Sequence, residues 1–367
     1  MKSDNSQTGR RWWAAGAAVL AALAAVLPGA APAAAATTAE YVVGFSATTP
    51  VLWNYSSTAG PTSVQLAMAA GTSPAVLTEG CGFGSGCGYD YAIQNAAGTL
   101  TYSISNANGT RTNTVVAVPM AAGTSPTITF GPTGGVKIAF QGATGTLWTV
   151  MAGSAPVNTG LFMAAGTSPD LGPQRDGLPA IAYQGSDHLL WTVSVYNNVA
   201  TGTGIPMAPN TSPTLDWVST STGNTAAKIA YQGANGHLWT YLPGAQPVDS
   251  GWSMMAGTSP GSDAVQRSSF PWEAQAVVFQ TSNGTLGKSF PDAAIVDTGL
   301  SMQRGTSPSL ATLLNTGGSW LGAGIAYQGS DSILWTITPD GVLHNTGQGM
   351  QSGSSPAIAS QPWFIIG

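Results

Sequence analysis

The chain has 367 residues, of which 48 are glycine, 24 are proline and only 7% are charged. This composition disfavours helices and differs from that of a charge-rich disordered region. The formal net charge is −5, and the chain holds ten lysines and arginines in all. Because no basic stripe is available to contact phosphates, we expect no nucleic-acid partner and no electrostatic binding to anionic membranes.

The N-terminal segment has the pattern of a secretory signal peptide. Positively charged residues precede an apolar run over 14–27, and small residues follow at Ala34 and Ala36. The apolar run is short for a membrane span, and the small residues suit a signal peptidase. We therefore predict a signal peptide over 1–36, a mature protein over 37–367 that is secreted to the extracellular space, and no membrane insertion.

The two cysteines, Cys81 and Cys87, lie six positions apart in the segment GCGFGSGCG. Export would place them in an oxidising compartment, so we predict a disulfide between them. Closing so short a loop stabilises a protein by roughly 2 kcal/mol in the chain-entropy model, so this bond would tie one loop and would not hold the fold together. Two cysteines without a nearby histidine cannot form a structural zinc site.

The most specific signal is an internal repeat. The heptapeptide MAAGTSP occurs at residues 68, 120 and 163, and four further copies have drifted. Every copy ends in a proline and has a methionine six positions before it, and the prolines are 43 to 52 residues apart. The prolines are Pro74, Pro126, Pro169, Pro213, Pro260, Pro308 and Pro356. A period in the forties is typical of propellers and stacked arrays.

A second phrase, KIAFQGATGTLWTV at 137–150, recurs between the prolines. Its alternating β-branched and aromatic residues, its turn at Thr144-Gly145 and its following Leu-Trp-Thr predict a β-hairpin. One further strand after each Ser-Pro and another before each methionine give four strands per repeat, as in a propeller blade. A β-trefoil would have three such units, and a helical array would show a period of 3.6 residues that is absent here.

The two ends complement one another. The segment YVVGFSATTPVLWNYS from Tyr41 has the hairpin without a preceding Ser-Pro strand, whereas GSSPAIASQPWFIIG from Gly353 has the Ser-Pro strand without the hairpin. Aligning Trp363 with Trp320, and Leu52-Trp53 with Leu334-Trp335, places Gly367 and Val43 at consecutive positions of one repeat. We therefore predict an all-β fold: a single seven-bladed β-propeller of four-stranded blades, closed by pairing of the N- and C-terminal segments in one blade. Such closure removes open sheet edges.

Groups that could carry catalysis are sparse. His188, His237 and His344 fall in different repeats, and no Gly-x-Ser-x-Gly elbow lies at a strand-to-helix turn. Asp187 and Asp331 lie in hairpin turns, where turn geometry alone favours aspartate. We therefore expect no catalytic residue, no metal and no cofactor. A dispersed carboxylate pair facing across the channel stays open as an alternative.

Tryptophans recur in the hairpin. Leucine occupies its second strand in all seven copies, and the next residue is tryptophan in five of them: Trp53, Trp148, Trp191, Trp239 and Trp335. Thr101 and Gly287 stand there in the other two. Replacing a fully buried tryptophan with a small residue leaves a cavity that costs on the order of 3–5 kcal/mol of stability. Because threonine and glycine stand at this position in two copies, we expect this face of the hairpin to be partly open. Indoles stack well on sugar rings, so we predict that these five bind ligand. Packing between blades is the alternative for any one of them.

Other repeated residues favour structural roles. A glutamine closes the first hairpin strand in six copies, with Ser46 in the remaining one. We expect these glutamines to hydrogen-bond a loop of the neighbouring blade, because buried amides need partners. We expect the Thr-Ser hydroxyls to satisfy a turn and the methionines to fill gaps between blades.

These motifs resemble a known family. Each repeat has an aromatic residue, a polar residue, glycine, a turn and Gly-x-Leu-Trp, followed by a Gly-rich stretch and Ser-Pro. This order is similar to the repeats of bacterial seven-bladed propeller lectins of the fucose-binding type. The pattern Gly-Thr-Ser-Pro, Phe-Gln and Leu-Trp-Thr resembles repeats of secreted actinobacterial proteins, including lectin subunits of umbrella-shaped toxin particles. This chain has glutamine where the lectin repeats often have arginine, so no sugar-contact residue is transferred.

The resemblance and the repeats together predict a secreted, non-catalytic, multivalent carbohydrate-binding protein. Its partners would be glycans of cell surfaces or polysaccharides, together with other secreted proteins of a toxin or adhesion complex. A propeller scaffold that docks proteins is the alternative from another class. A propeller glycan hydrolase with one site at the channel mouth is a third.

Overall fold

The computed structural model describes residues 40–78, 88–106, 108–131, 135–172, 180–194, 199–220, 222–266, 273–314 and 320–360. Over these residues the chain forms 28 β-strands and no helix. No helix in this part of the chain is therefore long and apolar enough to cross a membrane. The predicted signal peptide over 1–36 and the predicted Cys81–Cys87 disulfide lie outside the described residues.

The strands form seven antiparallel sheets of four strands each. In chain order the strands are β1 (Tyr41–Ser46), β2 (Val51–Ser56), β3 (Gly60–Ala67), β4 (Ala75–Thr78), β5 (Tyr89–Gln94), β6 (Thr99–Ser105), β7 (Arg111–Pro119), β8 (Thr127–Phe130), β9 (Val136–Gln141), β10 (Thr146–Met151), β11 (Val157–Phe162), β12 (Asp170–Leu171), β13 (Ala180–Gln184), β14 (Leu189–Ser194), β15 (Val199–Pro206), β16 (Thr214–Ser219), β17 (Thr225–Gln232), β18 (His237–Tyr241), β19 (Val248–Ser253), β20 (Gly261–Gln266), β21 (Glu273–Gln280), β22 (Thr285–Ser289), β23 (Val296–Ser301), β24 (Ser309–Leu314), β25 (Trp320–Gln328), β26 (Ile333–Ile337), β27 (Leu343–Gly349) and β28 (Ala357–Ser360).

We number the blades along the chain. Blade 1 consists of β28, β1, β2 and β3, and blades 2 to 7 take the following strands four at a time from β4 to β27. The innermost strands β28, β4, β8, β12, β16, β20 and β24 contact one another in sequence and return to β28, which closes a ring. They surround a central channel of about 590 Å³. The predicted seven-bladed propeller is confirmed.

Blade 1 joins the two ends of the described chain. β28 pairs antiparallel with β1, with Tyr41 opposite Ser360 and Gly44 opposite Ala357. β1 in turn pairs with β2 as the predicted hairpin. The predicted closure by terminal segments is therefore confirmed for the paired strands. The alignment around Trp363 and Gly367 falls outside the described residues.

The apolar core lies between the blades. Seven buried clusters occupy the seven gaps, and each combines residues of two adjacent blades. Alternating side chains explain this arrangement, because a blade must bury both of its faces. All seven repeated methionines are buried in these clusters, as predicted: Met68, Met120, Met163, Met207, Met254, Met302 and Met350.

A closed circle of seven hydrogen bonds joins the blades around the channel. The repeated serine of each connector donates its backbone N–H to the Oγ of the equivalent serine in the next connector, at 2.8–2.9 Å. The order is Ser73, Ser125, Ser168, Ser212, Ser259, Ser307, Ser355 and back to Ser73. The sequence predicted a turn role for both repeated hydroxyls. The threonine has this turn role, because the Thr72 hydroxyl donates to the Ala69 carbonyl within the same turn. The serine instead joins neighbouring blades.

The repeated glutamines form a second set of bridges. Each donates its amide N–H to a carbonyl in the connector that leads to the next blade, at 2.9–3.3 Å. The pairs are Gln94 with Ala121, Gln141 with Ala164, Gln184 with Ala208, Gln232 with Met255, Gln280 with Gln303 and Gln328 with Gln351. In blade 1 the Ser46 hydroxyl donates instead to Gln351 Oε1. The predicted hydrogen bond to a loop is confirmed, but the loop is the connector that leaves the glutamine's own blade.

Candidate functional site

The five repeated tryptophans lie in five different gaps between blades and do not come together in one site. Their indoles pack on clusters shared with the preceding blade, while the adjacent leucines are fully buried on the opposite face. Every one of the five is half-buried. Each faces a buried aromatic across the hairpin: Phe45 with Trp53, Phe140 with Trp148, Tyr183 with Trp191, Tyr231 with Trp239 and Tyr327 with Trp335.

We call the surroundings of each repeated indole, at the gap between its blade and the preceding one, a groove. In four of the five grooves a hydrogen bond at the hairpin turn holds the indole. The indole N–H donates to a side chain at the turn or directly after it, with N···O distances of 2.9–3.2 Å. The turn residues Asp187, Asn235 and Asp331 accept from Trp191, Trp239 and Trp335, and Thr146, the first residue of β10, accepts from Trp148. Asp187 also accepts the backbone N–H of Leu189, so it serves the turn as well as the tryptophan. A fixed aromatic ring loses little entropy when it binds a ligand.

A glycine makes room for the indole in the same four blades. A Cβ built on Gly233 would lie 2.5 Å from Trp239 Cδ1, and one on Gly142 would lie 2.5 Å from Trp148 Nε1. Gly185 and Gly329 occupy the same position beside Trp191 and Trp335. In the two blades without the tryptophan, Asn95 and Thr281 replace this glycine. The pairing of glycine with tryptophan in these four blades is therefore a signal in the sequence that the prediction did not use.

The two blades without the repeated tryptophan are closed at this position. Thr101 is buried and accepts a hydrogen bond from the Asn95 amide at 2.9 Å. At Gly287 the ring of Phe279 takes the space, because a Cβ there would lie 2.5 Å from Phe279 Cζ. Trp252 of blade 5 covers that ring. The partly open face inferred from the sequence is thus seen at the five half-buried tryptophans and not at these two exceptions.

Groove 5, at Trp239 of blade 5, holds a cluster of three polar side chains beside the indole: Asn235, His237 and Asp249. His237 Nδ1 lies 3.1 Å from an Asp249 oxygen, and the Asn235 amide donates to the same carboxylate at 3.1 Å. Slight desolvation acts to raise the pKa of Asp249, but hydrogen bonds from the Gly251 N–H, His237 and Asn235 together lower it. The carboxylate is exposed and stays ionised, so it can accept hydroxyl groups beside the indole.

Buried phenols lie beneath two further grooves. Burial raises the pKa of Tyr183 and of Tyr327 to about 12, with a smaller contribution from the turn carboxylates Asp187 and Asp331. Both phenols therefore remain neutral under ordinary conditions. Among the described residues no cluster of three or more His, Cys, Asp or Glu side chains could hold a metal ion.

Tryptophans outside the repeat have other surroundings. Trp217 is buried, and Trp252 is half-buried against blade 6. The side chains of Trp272, Trp320 and Trp363 fall outside the described residues.

Comparisons with known proteins support the fold. AofleA from Arthrobotrys oligospora is similar with a TM-score of 0.53 at 14% identity, covering 80% of this chain and 90% of AofleA. A fucose-specific lectin from Aleuria aurantia is similar with a TM-score of 0.51 at 13% identity, covering 81% of this chain and 97% of the lectin. No protein-family model and no curated protein matches the chain. At these identities the similarity concerns the fold, and it agrees with a β-propeller.

Proposed function

We propose that this protein is a multivalent carbohydrate-binding propeller, a lectin, that binds sugars in the grooves between its blades. The observation that carries the proposal is the repeated, half-buried indole of Trp53, Trp148, Trp191, Trp239 and Trp335. Indole rings offer a large apolar face for the C–H side of a sugar, and the polar residues at the turns are suited to its hydroxyl groups.

Several equivalent grooves on one rigid ring favour avidity. Each indole is only half-buried, so we expect weak binding of a single sugar at each one. A dense glycan surface would engage several grooves at once and raise the apparent affinity by about 10²–10⁴. The similarity to a fucose-specific lectin makes fucosides the first sugars to test.

The finer predictions are part of the same proposal. A signal peptide over 1–36 would export the protein to the extracellular space, where it would target a larger secreted toxin or adhesion complex to cell-surface glycans. The role would be non-catalytic. These statements rest on the N-terminal sequence pattern and on the resemblance of the repeats.

The test is a glycan array with labelled protein from Thr37 to Gly367, followed by titration of any sugar that binds. We expect avidity to fall stepwise as Trp148→Ala, Trp191→Ala and Trp239→Ala are combined, and we expect the triple variant to fold. Trp252→Phe is the matched control, because it changes a tryptophan outside the five grooves and preserves an aromatic contact with Phe279. A folded triple variant that binds its glycan undiminished would refute the assignment of the grooves.

A further inference from the structure

The gap between blades 5 and 6 holds a cavity of about 430 Å³. Val218, Leu242 and Val248 of blade 5 give it an apolar wall, while Lys228 of blade 5 and Gln275 of blade 6 also line it. None of the five repeated tryptophans belongs to this lining. Its volume is within the usual range for small-molecule sites.

Polar and charged residues are concentrated in this gap, and one of them departs from the repeat. Lys228 does not, because four positions before the repeated glutamine blade 3 also has a lysine, Lys137. Gln275 stands five positions before Gln280, where others have Ala227, Val136 and Ala323. Only 7% of the chain is charged, yet Asp216, Lys228 and Glu273 all lie at this gap. The departure at Gln275 from a position that is apolar or aromatic elsewhere indicates a local role.

Gln275 contributes a buried acceptor that lacks a donor. Its amide nitrogen donates to Asp216 Oδ2 at 2.9 Å and to the Lys228 carbonyl at 3.1 Å. A backbone carbonyl can only accept, so these contacts fix which end of the amide is nitrogen. The side chain is 6% exposed, and its Oε1 has no hydrogen-bond partner. Five repeated glutamines share this feature, and all six oxygens are closed to solvent, so Gln275 forms part of the wall of the cavity and its Oε1 does not meet a ligand.

Lys228 contributes a half-buried cation. Its ammonium has neither a hydrogen bond nor an ion pair with any described residue. Burial lowers the pKa of Lys228, and the nearby Asp216 acts in the opposite direction. Burial raises the pKa of Asp216 well above its ordinary value, and Asp263 adds to this effect, so the neutral form of that carboxyl is favoured. Glu273 accepts a hydrogen bond from Ser219. A desolvated cation next to an apolar wall favours an anionic partner.

We propose that this gap is a second ligand site, separate from the sugar-binding grooves, which takes a small organic acid with an apolar body. The carboxylate of the ligand pairs with the Lys228 ammonium, and its apolar body lies on Val218, Leu242 and Val248. Ligand binding would give the Lys228 ammonium the partner that it lacks among the described residues.

The test screens roughly a hundred small aromatic and aliphatic carboxylic acids whose volumes fit the cavity, each beside its neutral primary amide. Ligand-observed NMR detects binding, and crystals of the wild-type protein soaked with the best acids locate it. We expect acids to bind in this gap and their amides to bind at least about tenfold more weakly, on the order of one lost charged contact.

Variants separate the site from its surroundings. Lys228→Met keeps the aliphatic stem and removes the charge, so it should weaken binding of the acid by about tenfold or more. Lys137→Met is the matched control, since Lys137 holds the same place before Gln141, and it should leave the affinity unchanged. The proposal is overturned if no acid occupies this gap in wild-type crystals, or if bound acids are insensitive to a folded Lys228→Met protein. Glycan binding should be equal in all these variants.

Discussion

Trp252 and Phe279 meet edge to face across the gap between blades 5 and 6, with ring centroids 6.4 Å apart and an interplanar angle of 74°. In blade 3 the equivalent phenylalanine, Phe140, is covered by Trp148 of its own blade at 6.4 Å and 20°. Blade 6 has Gly287 instead of that tryptophan. A residue of the neighbouring blade therefore covers the aromatic ring that blade 6 leaves bare.

This relationship predicts coupling between positions 252 and 287. Gly287→Trp alone should destabilise the protein by about 1–3 kcal/mol, because the new side chain must displace Phe279. Adding Trp252→Leu, which introduces the residue type found at Leu161 and Leu300, should recover part of this loss. Urea unfolding of the two single variants and the double variant measures the coupling, expected at about 0.5–3 kcal/mol. Strictly additive effects would show that Trp252 does not substitute for the missing indole.

The buried carboxyl of Asp216 predicts a pH dependence of stability. Burial, with the neighbouring Asp263, raises its pKa well above 3.8 in the folded protein. A raised pKa means that this group favours folding below its ordinary pKa and that the contribution is lost as pH rises through the folded value. Asp216→Asn should therefore lose less stability than wild type as pH rises above about 4. Denaturant unfolding at several pH values checks this, and parallel curves for both proteins would contradict it.

The serine circle predicts a cost for each broken link. Ser73→Ala removes the acceptor of the Ser355 N–H, and Ser168→Ala removes that of the Ser125 N–H. Each change should lower the free energy of unfolding by about 1 kcal/mol. Ser352→Ala, an exposed serine in the last connector, should change it by less than about 0.5 kcal/mol. Equal effects of all three substitutions would show that the circle does not stabilise the ring.

The glycine beside each indole predicts a way to disturb one groove at a time. Gly233→Ala should push Trp239 from its place, because the added Cβ would lie 2.5 Å from the indole. We expect one sugar site fewer by calorimetry and a loss of stability of about 1–3 kcal/mol. Gly44→Ala is the control, since its Cβ would meet Pro74 at an ordinary 3.6 Å. An unchanged number of sites in a folded Gly233→Ala protein would exclude Trp239 from binding.

The fold was predictable because it repeats. Seven prolines with methionines at a fixed spacing define seven blades, and the complementary ends predict the pairing that β28 and β1 show. A single sequence does not say which groups meet across a gap. The serine circle, the cover of Phe279 by Trp252 and the cluster of Asp216, Lys228 and Gln275 all join residues far apart along the chain. The candidate tryptophans were predicted, but their restraint by Asp187, Asn235 and Asp331 was not.

The most direct test of the proposed function counts and locates the sugars. Titration calorimetry with the best sugar from the array, beginning with methyl α-L-fucoside, gives the number of sites, and a crystal structure of the complex shows where they are. We predict more than one sugar per chain, each ring stacked on one of Trp53, Trp148, Trp191, Trp239 or Trp335. A single sugar bound away from all five indoles, or no binding of any array glycan by folded protein, would contradict it.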